Sequence, residues 1–119
     1  MGTNYYTVPK KPSLYRKVLH IGKSSGGWKF LFQGYQDYEL DNNKYLNINN
    51  IEDWKNYIKE NDILIFDEYD NEISFDDFFK MVEEKQSEEN EENFSNCANI
   101  NGYRFSYRDL ARRVYGRRK

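Results

Sequence analysis

One short stretch gathers the residues best suited to chemistry. His20-Ile21-Gly22-Lys23-Ser24-Ser25-Gly26-Gly27-Trp28 holds the only histidine, three of the seven glycines and one of the two tryptophans. Backbone amides near Gly22, Gly26 and Gly27, with the hydroxyls of Ser24 and Ser25, could form a small anion nest. Lys23 would add charge, Trp28 could stack on a planar ring, and His20 would sit at the edge. Such a set suits a phosphorylated or nucleotide-like ligand. The same residues would also serve as a hairpin loop with Trp28 in the core.

A nucleotide-hydrolase P-loop does not fit. That motif needs a glycine five residues before the Gly-Lys pair, and Lys17 stands there. An unperturbed histidine titrates in the right range for a general base, but no dyad partner for His20 lies nearby in the sequence, so no catalytic residue is assigned. No metal site and no cofactor are expected. Asp67-Glu68-x-Asp70 offers carboxylates to a hard cation but lacks the glycine and spacing of an EF-hand loop. A single cysteine, Cys97, rules out a disulfide framework or a cysteine-rich zinc site.

The elements that must position these residues follow from pattern. Residues 3 to 8 are β-branched and aromatic up to Pro9, a strand. Tyr15 to Ile21 reads as a second strand, residues 22 to 27 as a tight connection, and Trp28, Phe30 and Phe32 as the inward face of a third strand. Residues 35 to 50 read as a polar, Asn-rich loop with room for a short extended piece. Asn50 caps a helix carrying Ile51, Trp54 and Ile58 at helical spacing. Ile63 to Phe66 suits a buried strand, and Glu72-Ile73 a short return after a turn at Asp70-Asn71. Ser74 caps a second helix with Phe75, Phe78, Phe79 and Val82 on one face. An acidic flexible segment is expected over 84–97, with Cys97 inside it. Tyr103 and Phe105 suggest a last strand, and Ser106 the cap of a C-terminal helix ending near Gly116.

The expectation is a single α+β domain over residues 1–119, a small mostly antiparallel sheet packed against two to three helices. Aromatics make up 18 % of the chain, enough for a core from few apolar residues and too many for a disordered chain. No apolar run is long enough to span a bilayer, and no signal-peptide pattern is read at the start. A reducing cytoplasm fits the cysteine usage.

The net charge of −2 conceals segregation. Residues 1 to 36 carry six Lys or Arg and no acid, and residues 67 to 100 carry twelve acids against Lys80 and Lys85. Residues 101 to 119 carry seven basic groups against Asp109. Arg104 and Arg108, interleaved with Tyr103, Phe105 and Tyr107, are further candidates for anion contact, since arginine forks phosphate and aromatics stack bases. A pI near 5.5 argues against a general nucleic-acid binder.

Met1-Gly2-Thr3-Asn4-Tyr5-Tyr6, together with His20-Ile21-Gly22-Lys23-Ser24-Ser25-x-Gly27-Trp28-x-Phe30, resembles a family of small proteins encoded by bacteriophages and prophages. Asp67-Glu68-Tyr69-Asp70 and Asn101-Gly102-Tyr103-Arg104-Phe105 are similar to that family's second half. Relatives with a Cys-x-x-Cys pair before the His-Ile-Gly segment differ from this chain, which has Pro12 to Tyr15 there. The resemblance implies a non-catalytic accessory protein with a counter-defence role in the host cytoplasm. Two expectations stand together. One is a protein that sequesters a nucleotide-like small molecule through His20, Lys23, Ser24, Ser25, Trp28, Arg104 and Arg108. The other is an inhibitor that binds a host protein, its acidic surface over 67–92 mimicking nucleic acid. Neither needs direct nucleic-acid contact or a membrane. A weak nucleic-acid binder through residues 112 to 119 is a third reading.

Overall fold

A computed structural model describes residues 2–10, 18–39, 45–88 and 97–107. Its organising strand is β1 (Gly2–Pro9), flanked antiparallel by β2 (Leu19–Ser25) and β6 (Ile63–Asp67). Beyond β6 lies β7 (Glu72–Ile73), and beyond β2 lies β3 (Leu31–Gln33). The sheet then continues through β9 (Tyr103–Ser106) to β8 (Cys97–Ile100) at its edge. All pairings of this seven-stranded sheet are antiparallel except β3 with β9, which is parallel. A separate hairpin joins β4 (Tyr35–Glu39) to β5 (Tyr45–Ile48).

Two helices cover one sheet face. Helix α1 (Ile51–Glu60) starts where the Asn50 side chain accepts from the Asp53 amide at 2.8 Å, and α2 (Phe75–Lys85) starts at Ser74 in the same way. Each cap satisfies one of the amides a helix start leaves unpaired. Against the sheet they bury Trp54, Ile58, Phe78 and Val82, which meet Ile21, Phe30, Phe32 and Phe105 in one cluster. Phe30 packs edge-on against Phe78 at 5.6 Å, and Phe32 stacks on Phe105 at 5.1 Å. The class is α+β, a mostly antiparallel sheet packed with two helices. No described helix is long and apolar enough to cross a membrane.

One irregularity sets which residues face the helices. Tyr6 pairs with His20 but Tyr5 pairs with Gly22, so Ile21 is an extra residue in β2. Such a bulge shifts the in–out alternation of a strand by one. After it, Gly22 lies on the helix-covered side, where a Cβ would strike the Phe30 ring and the Leu31 carbonyl. Lys23 therefore emerges on the opposite face, level with Asn4 and Leu31.

Several boundaries differ from expectation. The expected connection at 22–27 is mostly strand: β2 runs through Ser25 because Lys23, Ser24 and Ser25 pair with Asn4, Thr3 and Gly2. Only Gly26 and Gly27 turn the chain, with Gly27 at a φ of 80° that favours glycine. The second strand is described over Leu19–Ser25, and residues 15 to 17, where its start was expected, lie outside the described residues. The expected loop over 35–50 contains β4 and β5, with Leu46 and Ile48 buried between exposed Tyr45 and Asn47. Helix α2 reaches Lys85 and Cys97 opens β8, which moves both ends of the acidic segment expected over 84–97. Ser106, expected to cap a C-terminal helix, is the buried last residue of β9. Residues 108–119, where that helix and Arg108 were placed, lie outside the described residues, as do residues 89–96.

Candidate functional site

On the face of the sheet away from the helices, where β2 turns into β3, lies a cleft of about 190 Å³ lined by Lys23, Ser25, Trp28, Lys29, Leu31 and Arg104. Its composition follows from register. Lys23 of β2 is level with Leu31 of β3, and Leu31 is level with Arg104 of β9, so the three side chains stand in a row across neighbouring strands. The Gly26-Gly27 turn then brings Trp28 over that row. The Trp28 amide donates to the Ser25 carbonyl at 3.2 Å, which closes the turn.

Arg104 is the most constrained member. It is only 3 % exposed, its guanidinium lies 5.2 Å from the centre of the Trp28 ring, and Nη1 donates to the Lys29 carbonyl at 2.8 Å. The arginine thereby ties β9 to the segment entering β3. Lys23 is exposed and makes no ion pair with a described residue. Three cationic side chains and an indole surround the cleft, and no described carboxylate lines it. Such a lining favours an anion with a flat apolar portion, through charge and stacking together.

Of the seven expected site residues, the cleft unites Lys23, Ser25, Trp28 and Arg104. Strand alternation puts Ser24 on the other side of the sheet, away from Lys23 and Ser25. Arg108 is outside the described residues. His20 shares the face of Lys23 but is buried outside the cleft lining. Its Nε2 lies 2.9 Å from Asn4 Oδ1 and its Nδ1 3.4 Å from Gln33 Oε1. Asn4 is itself anchored to Glu68, while the Gln33 amide nitrogen donates to the carbonyls of Gly34 and Ser106 at 3.2 Å. His20 is thus a cross-strand tie, set apart from the cleft. The expected anion nest is also corrected, because Gly22 is committed to the sheet between Tyr5 and Phe32. Trp28, expected on the face of Phe30 and Phe32, instead packs on Arg104 and is absent from the core cluster.

Lys29 and Leu31 were missed as site residues, although their alternation with Phe30 and Phe32 already placed them on the outer face. Nothing in the sequence pointed to Lys85, whose Nζ donates to the Ser25 carbonyl at 2.7 Å from the end of α2.

Elsewhere, two of the Asp67-Glu68-x-Asp70 carboxylates, those of Asp67 and Glu68, serve the fold. Burial raises the Asp67 pKa, but hydrogen bonds from the Asn71 backbone, the Asn71 side chain and the Tyr69 backbone outweigh it and hold the carboxyl below the usual aspartate value. Glu68 accepts from the Asn4 backbone at 2.7 Å. Among the described residues no group of three or more His, Cys, Asp or Glu is arranged to hold a metal ion. Tyr103, whose hydroxyl bonds Glu83, has its pKa pushed up to about 12, first by burial and then by that hydrogen bond and the charges of Glu83 and Glu52.

Comparison with protein-family models, with curated proteins and with solved structures finds no match for this chain.

Proposed function

We propose that the protein is a non-catalytic binder that sequesters a phosphorylated or nucleotide-like ligand, with the anionic group at Lys23 and Lys29 and a planar group against Trp28. The observation carrying this reading is the convergence of Lys23, Lys29, Arg104 and Trp28 around one cleft. The lining offers no described carboxylate, histidine or cysteine to act as base or nucleophile, which favours binding over turnover. A volume of about 190 Å³ is below the roughly 300–1,000 Å³ of pockets that engulf a drug-sized ligand. The cleft therefore suits one phosphate and one ring edge, the rest of the ligand remaining in solvent. On the resemblance to phage-encoded proteins, the ligand class would be a nucleotide signal of host defence, and the role its removal.

Titration of the intrinsic tryptophan emission with mononucleotides, cyclic dinucleotides and pyrophosphate tests the reading. Lys23 is exposed, so its charge is worth about 1 kcal/mol to an anion at contact distance. Lys23→Ala should weaken binding about fivefold, and Trp28→Ala should weaken it further for ligands with a base than for pyrophosphate. Equal affinities for the wild type and both variants would end the proposal. The inhibitor reading draws support from exposed Asp70, Glu72, Asp76, Asp77, Glu83 and Glu84. It requires salt-sensitive capture of a basic host protein that survives Lys23→Ala.

A further inference from the structure

The cleft has two walls that come from distant parts of the chain. One is the Ser25–Trp28 turn, and the other is β9 with Arg104. The last turn of α2 bonds to both. Lys85 Nζ donates to the Ser25 carbonyl at 2.7 Å, the same oxygen that the Trp28 amide uses to close its turn. The neighbouring Gln86 side chain donates to the Gly102 carbonyl at 2.8 Å, in the turn between β8 and β9. In the same turn, Glu83 accepts from the Tyr103 hydroxyl, and Tyr103 immediately precedes Arg104.

We infer that this last helical turn, through Lys85 and Gln86, positions Trp28 against Arg104 and so sets the width of the cleft. Lys85 and Gln86 do not line the cleft, so they act through the two walls as positioning residues. The arrangement is favourable where it sits. A lysine in the last turn complements the negative end of the helix dipole, and its charge strengthens the hydrogen bond to Ser25. Two backbone carbonyls are held by side chains from one rigid helix end, which fixes their spacing better than either loop would alone. The inference rests on the binding reading only for its consequence for ligands, since the placement of Trp28 is a property of the protein alone.

The test uses the two indole N–H signals in an amide-correlation NMR spectrum of labelled full-length protein. Trp54 is fully buried and donates to the Gln33 carbonyl at 2.9 Å, so its signal serves as an internal monitor of the core. Trp28→Phe assigns the other signal. Lys85→Met and Gln86→Ala, singly and together, should shift or broaden the Trp28 signal and leave that of Trp54 in place, while Lys85→Arg should restore the wild-type position. Pyrophosphate affinity should fall about three- to tenfold in the double variant, as expected when a preorganised site is loosened. An unmoved Trp28 signal in the double variant overturns the inference. So does a parallel movement of both indoles, which would mark a general packing role. If no anion binds the wild type but Trp28 alone moves, the binding proposal fails and the positioning role stands.

Discussion

Replacing Arg104 by methionine removes the charge and the donors but keeps a stem of similar length in the sheet. Two interactions dominate the loss. The bond from the guanidinium to the Lys29 carbonyl, at 2.8 Å, has a charged donor and belongs to the class worth about 1.5–3 kcal/mol. The contact with the Trp28 ring, at 5.2 Å, is desolvated because Arg104 is 3 % exposed, which puts it near 2 kcal/mol. Methionine recovers part of this, since a neutral group does not incur the desolvation of a buried charge. A net loss of about 2–3 kcal/mol follows, and at roughly 4 °C per kcal/mol for a domain of this size the midpoint should fall by about 8–12 °C. Arg104→Lys should lie between the two, because an ammonium keeps the charge but neither the planar fork nor the stacking. Circular dichroism melting supplies the midpoint. Tryptophan emission supplies the local readout, as Trp54 is buried away from the change and Trp28 loses its cover. A methionine variant that melts within about 2 °C of wild type with unchanged emission would refute the assignment of Arg104 as the tie between β9 and the segment entering β3.

The Gly22→Ala substitution should cost about 1–3 kcal/mol, since its Cβ would meet the Leu31 carbonyl and the Phe30 ring. Chemical denaturation measures this, and a neutral result would show that the strands part without penalty. The raised pKa of Tyr103, about 12 against an ordinary 10.0, means that the folded state favours the neutral phenol. Its contribution is complete below pH 10 and is lost as pH rises from 10 through about 12. Stability followed across that window should decline less steeply in Tyr103→Phe than in the wild type, and parallel declines would remove Tyr103 from the alkaline transition.

Legibility in the sequence tracked how far each element's cause was local. Both helices could be read to their caps, because Asn50 and Ser74 act on amides three residues away. The sheet's class was legible from aromatic and β-branched runs, but its phase was not. An alternating reading of Leu19 to Ser25 puts Lys23 inside, and only pairing with β1 shows that Ile21 is the inserted residue. Lys-Ser-Ser has little strand propensity, and neighbours on both sides of β2 override it. Leu46 and Ile48 did carry a period-two signal within an Asn-rich segment, whereas β4 is half-buried or exposed throughout and had none. The Asn101-Gly102 pair, at φ values of 55° and 90°, is the turn chemistry of a two-residue hairpin. It pointed to β8, which the acidic run before Cys97 obscured. The residues of the candidate cleft were half visible. Lys23, Ser25, Trp28 and Arg104 stood out by type, but bringing Arg104 beside Lys29 is a matter of topology alone.

That topology also orders events in time. The parallel pairing of β3 with β9 is the longest-range contact in the sheet, and Arg104 reaches Lys29 across 75 residues. Contacts of such separation form late, after shorter loops have closed, and on a ribosome the N-terminal strands emerge well before β9 is made. A hairpin of β2 and β3 formed before β9 docks would leave Trp28 without the cover of Arg104. The cleft is complete only once the last described strand has docked, so its assembly can be timed by the covering of one indole.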